Sequence, residues 1–249
     1  MQQSVYDSAN FFELYQKLRA NPKSLNNIVE KPTMLSLLPD LKGKKLLDLG
    51  CGTGEHLQLY LQRDAASVVG IDLSAEMLKQ AEFDLPKFRK NAAHFRLYQW
   101  AMEDLSKLPE TGFDVITSSF AFHYVKNFNQ LLGDIYAKLN PQGTLIFSQE
   151  HPIVTAYQGG ERWEKNTVKQ QVAYRLNYYR DEGERNRSWF KQPFKTYHRT
   201  VATILNSLIQ RGFRIEKVVE PMLADQMEWQ EEFKDLQHRP VLFFVKAKK

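Results

Sequence analysis

The chain has 249 residues, a formal net charge of +5, 43% hydrophobic and 25% charged residues. That length supplies a real core for one large domain or two small ones, and the balance excludes disorder, collagen and low complexity. No apolar run approaches the ~20 residues of a membrane span, no secretory signal opens the sequence, and the single cysteine, Cys51, excludes an internal disulfide and a multi-cysteine zinc site.

The apolar pattern alternates between short strands and amphipathic helices. Phe11, Phe12, Tyr15 and Leu18 mark one face of an N-terminal helix outside that alternation. Lys45–Leu49 reads as a buried strand, Glu55–Gln62 as a helix and Ser67–Asp72 as a second strand. Ser74 is a suitable N-cap for a helix carrying Met77, Leu78 and Ala81. Residues 94–98 and Phe113–Ser118 read as strands three and four. Phe128, Leu131, Leu132, Ile135 and Leu139 then recur at helical spacing, and Pro141-Gln142-Gly143 turns the chain into a fifth strand at 144–148. Val201, Ile204, Leu205, Leu208 and Ile209 form the last helical stripe, stopped at Gly212, and Arg214–Val219 and 241–245 close the sheet. This rhythm implies a largely parallel sheet covered on both faces.

Charge is unevenly placed. Residues 155–199 hold ten Lys/Arg against five Asp/Glu, with nine of the 31 aromatics, inside an otherwise neutral chain. Such a segment reads either as a functional insertion that meets an anionic or aromatic partner, or as a solvated flap with a few buried rings.

The most informative stretch is LLDLGCGTGEH, residues 46–56. A strand runs into Gly50-Cys51-Gly52-Thr53-Gly54 and then a helix, so bare backbone and a helix N-terminus meet at the carboxyl edge of the sheet. Asp72 follows eighteen residues after Gly54, at the end of strand two, where an acid can accept from both ribose hydroxyls of a nucleoside. The G-x-G-x-G spacing departs from the dinucleotide pattern, and no Gly-Lys-Ser/Thr follows for a phosphate loop. Asp48, just before the loop, would repel phosphate but suits an ammonium group.

LLDLGCGTGEH and VVGIDLSAEML resemble the first two motifs of class I S-adenosylmethionine-dependent methyltransferases, and FDVITSSFAFHYV and LNPQGTLIFSQ resemble that family's fourth and fifth strand motifs. The resemblance covers roughly residues 44–150, and the last helix and two strands match more loosely. It implies an α/β, Rossmann-like seven-stranded sheet, mostly parallel with an antiparallel last strand, with helices on both faces. The expected division is an N-terminal helical lid (1–43), the methyltransferase domain (44–151 and 198–249) and an inserted substrate cap (152–197).

The resemblance implies S-adenosylmethionine as cofactor and S-adenosylhomocysteine as product. Gly50, Gly52 and Gly54 would pass under its methionine part, with Cys51 in the same loop at a variable position. Asp48 would lie near the ammonium, Asp72 at the ribose, and Leu73 and Met77 on the adenine. The usual acid after strand three is replaced here by Trp100 or Ala101, which leaves the backbone of Ala101 and Met102, or the Glu103 side chain, to read the adenine. Ser119 and Phe120 end strand four in the same cleft, with Phe120 or Phe122 flanking it. His123 either lines the acceptor side or serves packing. Tyr15 and Arg19, one turn apart, would lid the pocket and pair with the cofactor carboxylate, or else be a core Tyr and a surface Arg.

The carboxyl end of strand five, Ser148-Gln149-Glu150-His151-Pro152, and Tyr197-His198-Arg199 before the last helix are expected to approach the same mouth. His151 and His198 are then candidate bases or orienters, and Phe122, His123, His151, Tyr197 and Arg199 candidate acceptor contacts. The bland alternative is that His151 caps a turn and Tyr197-His198-Arg199 enters a helix. The expected protein is a cytoplasmic enzyme without a metal or membrane partner, methylating a small molecule, with no sign of its oligomeric state. The runner-up is a tRNA or RNA methyltransferase using the basic aromatic insertion, and beyond it a non-catalytic cofactor-binding subunit.

Overall fold

The computed structural model describes residues 4–88, 94–223 and 231–249. Its centre is a seven-stranded sheet. In chain order the strands are β1 (Lys45–Leu49), β2 (Ser67–Asp72), β3 (His94–Gln99), β4 (Phe113–Ser118), β5 (Leu139–Glu150), then β10 (Arg214–Val219) and β11 (Leu242–Lys248). Their spatial order is β10-β11-β5-β4-β1-β2-β3. The first five run parallel, and β11 is antiparallel to both its neighbours. Between β4 and β1 the order reverses, and in open sheets that reversal opens a crevice beyond the strand ends.

Alternation along β1 decides what each face buries. Leu47 and Leu49 join α5 (Phe128–Lys138) and α7 (Val201–Gln210) in one fully buried layer. Leu46 joins α2 (Lys31–Leu37), α3 (Glu55–Gln62) and α4 (Ala75–Asp84) in the other. Ser74 caps α4 as expected, its Oγ accepting from the Met77 amide at 3.2 Å, and Thr200 caps α7 in the same way at 3.1 Å. Ile209, on the expected α7 stripe, lies exposed.

The fifth strand is longer than its apolar run. It starts at Leu139, and the Pro141-Gln142-Gly143 turn is an excursion inside it. Phe113 pairs with Leu139 and Val115 with Thr144, so five residues of β5 bulge past two of β4.

Residues 152–197 hold a one-turn helix, α6 (Pro152–Thr155), and two hairpins, one of β6 (Trp163–Lys165) and β7 (Gln171–Tyr174), the other of β8 (Gly183–Trp189) and β9 (Gln192–His198). The first helix, α1 (Ala9–Ala20), meets the tip of the second hairpin. The Phe11 ring stands edge-on to Trp189 at 5.3 Å and to Phe190 at 5.5 Å. Among the described residues no helix is long and apolar enough to cross a membrane.

Candidate active site

The loop after β1 is held by short bonds that leave its upper surface bare. The amides of Gly50 and Cys51 both donate to the Ile71 carbonyl, at 2.8 and 3.0 Å. Gly50 has φ +73°, and a Cβ there would fall 2.6 Å from the Ala121 Cβ, so no side chain fits. Gly52, at φ +53°, has nothing within 4 Å of a Cβ position and faces open cleft. Gly54 does not line the cleft. It precedes α3 and packs against Ala81 of α4, while its neighbours Thr53 and Glu55 line the cleft. The Cys51 thiol is buried beside Gly70, and burial pushes its pKa up.

Asp72 braces this loop. Its Oδ2 accepts from the Gly52 amide at 2.8 Å and its Oδ1 from the Ser74 amide at 2.9 Å. Each oxygen keeps a further lone pair for a hydroxyl. Burial raises its pKa despite those bonds. Asp48 is 1% exposed and lines the cleft. It accepts from Thr117 Oγ1 at 2.7 Å, and that oxygen accepts from the Tyr60 hydroxyl at 3.1 Å. Burial pushes the Asp48 carboxyl up to about 6, and a cation beside it would favour the charged form.

Beside Asp48 lies a group that sequence reasoning did not single out. Glu30, fully buried in a π-helical turn (Asn26–Glu30), accepts from Ser119 and Ser148 Oγ at 2.7 Å each. Its Oε2 and the Nε2 of His56, which lines the cleft, are buried without hydrogen-bond partners, 4.0 Å apart. His56 lies two residues after Gly54 of the glycine loop, a readable signal, whereas Glu30 is distant from it in sequence.

The N-terminal segment covers this floor. Asp7 accepts from Ser74 Oγ at 2.7 Å, and Tyr6 meets the Tyr124 hydroxyl at 3.3 Å. Tyr15 and Arg19 both line the cleft, and Arg19 is paired with Glu55, Nη2 to Oε2 at 2.7 Å. Leu73, Met77, Ala101, Met102, Glu103 and Ser119 line it too, together with Trp100. The cleft encloses about 1550 Å³, above the ~300–1,000 Å³ usual for one ligand.

Over the ends of β4 and β5 the cleft is walled by hairpin β8–β9. Arg187, Trp189, Phe194 and Tyr197 line it, facing His123, Tyr124 and Glu150. His123 is 5% exposed, its Nδ1 lacks a partner, and burial pushes its pKa down to about 4.

Four expected contacts lie elsewhere. The His151 ring caps α6, Nδ1 accepting from the Ile153 amide at 3.1 Å while Nε2 meets Glu220 at 2.7 Å. His198 is tied to Thr155 Oγ1 at 2.7 Å and to the Tyr179 carbonyl at 2.9 Å. Both rings are thus saturated, nearly fully buried and outside the cleft lining. Arg199 donates to the carbonyls of Val125 and Lys126 and lies over the Phe128 ring. Phe122 is a core residue, 4.8 Å from Phe147 and 5.8 Å from Phe128; truncating such a ring to Ala costs ~3–5 kcal/mol.

The residues present suit the cofactor that the sequence resemblance implies. Open space stands over the Gly52 backbone, and two carboxylates, the buried Asp48 and the partly buried Asp72, flank the same loop, an acceptor set matched to a cationic nucleoside rather than a phosphate.

Comparison with known proteins agrees. A profile described as a methyltransferase domain matches residues 47–147. A Haemophilus influenzae protein described only as uncharacterized is 69% identical, the match covering 99% of this chain and 97% of its own. A Listeria monocytogenes structure, provisionally described as an S-adenosylmethionine dependent methyltransferase, is 32% identical with a TM-score of 0.79, covering 88% of this chain and 96% of that one. A Mesorhizobium loti S-adenosylmethionine dependent methyltransferase is also 32% identical, with a TM-score of 0.75, covering 88% and 97%. The glycine loop, the acid after β2 and these whole-chain likenesses together place the chain in the family of S-adenosylmethionine-dependent methyltransferases.

Proposed function

We propose that this enzyme methylates a small molecule held beside S-adenosylmethionine within the one cleft. The observation that carries the reading is the size and cover of that cleft. Its volume exceeds a single ligand's needs, and residues 4–20 and hairpin β8–β9 roof it, meeting at Phe11 and Trp189. The lid function is thereby assigned to residues 4–20, because Val29, Met34, Leu37 and Leu41 are built into the core. A tRNA or RNA acceptor is the second reading, for the insertion displays Lys165, Lys169, Arg175, Arg180, Lys191 and Lys195 at the surface, whereas its Arg185 is buried and its Arg187 turned into the cleft.

Asp72 would hold the ribose hydroxyls, Asp48 the ammonium and Arg19 the carboxylate. The backbone of Gly50, Cys51 and Gly52 would underlie the methionine part. Leu73, Met77, Ala101, Met102 and Glu103 would bound the adenine, with Ser119 beside them. When bound, S-adenosylmethionine supplies a methyl group activated on a sulfonium. The chain's own contribution is to orient the acceptor in line and keep water out, an effect that reaches several kcal/mol in well-aligned systems. Calorimetric titration with S-adenosylmethionine and S-adenosylhomocysteine tests the reading. Both bind to one site per chain; absence of binding by either removes it.

A further inference from the structure

We infer that the acceptor is a small carboxylic acid, gripped at its carboxylate by Arg187 under the inserted hairpin and converted there to a methyl ester. The inference deepens the methyltransferase reading above and rests on it.

The cleft is polarised. The residues that 152–197 contribute to its lining include three cations, Arg162, Arg187 and Lys195, and no acid. The rest of the chain contributes six acids, Asp48, Glu55, Asp72, Glu103, Asp104 and Glu150, against Arg19 and Lys126. A cationic cofactor belongs on the acidic floor. The hairpin side selects an anion.

Arg187 is the group built to receive it. Its side chain is only 12% exposed. Its nearest acceptors stand at the outer limit of hydrogen bonding, the Val154 carbonyl 3.4 Å from Nη1 and Glu150 Oε1 3.5 Å from Nη2. A guanidinium so withdrawn from water, with its fork so weakly answered, matches a carboxylate bidentately or through one oxygen. Lys195, by contrast, is already paired with Glu184 at 2.8 Å, and Arg162 lies on the Tyr157 ring. Trp189, Phe194 and Tyr197 beside Arg187 offer an apolar wall for the acid's body.

Among the described residues, the histidine on the hairpin side of the cleft is His123; His56 and Asp48, the latter with its carboxyl raised to about 6, line the floor assigned to the cofactor. His151 and His198 are outside the lining. His123 is inside it, but burial keeps its imidazole neutral and weakly basic, with a pKa of about 4. The Tyr6 and Tyr124 phenols are raised by burial. An alcohol or an ammonium acceptor must lose a proton to become a nucleophile, and catalysis of that loss calls for a base near the working pH. A carboxylate arrives ionised. Its oxygen gains the methyl carbon as the carbon–sulfur bond breaks with its electron pair staying on sulfur. A negative and a positive charge are neutralised together, the products are a neutral ester and a thioether, and no proton moves.

The test uses the full chain and a probe panel of succinate, benzoate, phenylacetate and indole-3-acetate, with size-matched amides, amines and phenols and with phenyl phosphate. Each probe is titrated at millimolar concentration into protein loaded with S-adenosylhomocysteine, and each is incubated with S-adenosylmethionine for mass spectrometry. The expected result is that acids bind and yield base-labile methyl esters. Arg187→Ala weakens acid binding about tenfold or more, Arg187→Lys recovers part of it, and both variants bind S-adenosylhomocysteine as the parent does, which also reports that they fold. The inference is overturned if no acid binds the loaded protein, if phenyl phosphate is preferred, if methyl groups go to the amines, amides or phenols instead, or if Arg187→Ala binds acids equally well. Failure of S-adenosylhomocysteine itself to bind would instead strike the underlying methyltransferase reading.

Discussion

The Arg19 guanidinium grips both oxygens of Glu55, Nε to Oε1 at 3.3 Å and Nη2 to Oε2 at 2.7 Å, and so ties α1 to the first turn of α3 beside the glycine loop. Lys31 stands 3.6 Å from the same Oε2, so Glu55 keeps a partner if Arg19 turns to another carboxylate. Arg19→Ala is expected to weaken S-adenosylhomocysteine binding about tenfold, the worth of one charged hydrogen bond. Glu55→Gln, which frees Arg19, leaves affinity equal or tighter. Calorimetry on the two variants decides it; equal losses in both would show that the pair merely staples the helix.

Asp72 separates binding from stability. Burial raises its pKa, so its charge costs the folded chain something at neutral pH. Asp72→Asn keeps one accepting oxygen in place of two, so it should lower S-adenosylhomocysteine affinity by roughly ten- to hundredfold, while relief of the charge offsets part of the stability lost with the Gly52 or Ser74 bond. Unchanged affinity would mean that the ribose sits elsewhere.

Asp48 gives the enzyme a pH signature. With its carboxyl raised to about 6, the folded chain holds a proton there that the unfolded chain, near ~3.9, does not. This contribution to stability is fully present in acid and is lost as pH rises through about 6. A bound ammonium favours the carboxylate and expels that proton. S-adenosylmethionine affinity should accordingly climb as pH rises through this region and then level, and Asp48→Asn should flatten the climb. Calorimetry in two buffers of different ionisation enthalpy would reveal the released proton; a pH-independent affinity in the parent would refute the assignment.

His151 carries a structural prediction. Its Nδ1 accepts at the start of α6, so Nε2 bears the proton donated to Glu220. His151→Ala should cost about 1 kcal/mol of stability through the lost cap and leave turnover per folded molecule near that of the parent. Burial lowers the imidazole pKa, so the unfolded chain binds the proton more readily. Stability from this residue is thus lost as pH falls below ~6.5, the unfolded value. A marked drop in kcat without loss of stability would return His151 to the chemistry.

What could be read from the sequence was local. The glycine loop, Asp72 and the strand rhythm lie within short windows whose spacing reports geometry directly. The cleft's cover and much of its floor are assembled by contacts between distant residues. Glu30 reaches Ser148 and Tyr6 reaches Tyr124, each across 118 residues, and no periodicity announces such pairs. His151 sits after the strand expected to carry it, but its ring is turned away by a four-residue helix too short to show a pattern. The signal available was Pro152 in the first helical position, directly after a side chain able to cap it. Arg187 was one of ten cations in its segment, and only the hairpin register distinguishes it from its neighbours.

Phe11 and Trp189 predict that the two covers move as one. Phe11 is 1% exposed and stands edge-on to both rings at the hairpin tip, while Trp189 and Phe190 stack at 4.8 Å. Aromatic pairs of this kind add ~0.5–1.5 kcal/mol beyond the area that they bury. Neither residues 4–20 nor hairpin β8–β9 belongs to the main sheet, so each depends on the other for part of its burial. Phe11→Leu removes the ring contacts but keeps most of the apolar volume. It should speed S-adenosylhomocysteine release several-fold and raise amide hydrogen exchange in residues 4–20 and 186–194 together. Acceleration confined to 4–20 would show two independent covers, with the acceptor able to enter beneath the hairpin while the nucleoside stays enclosed.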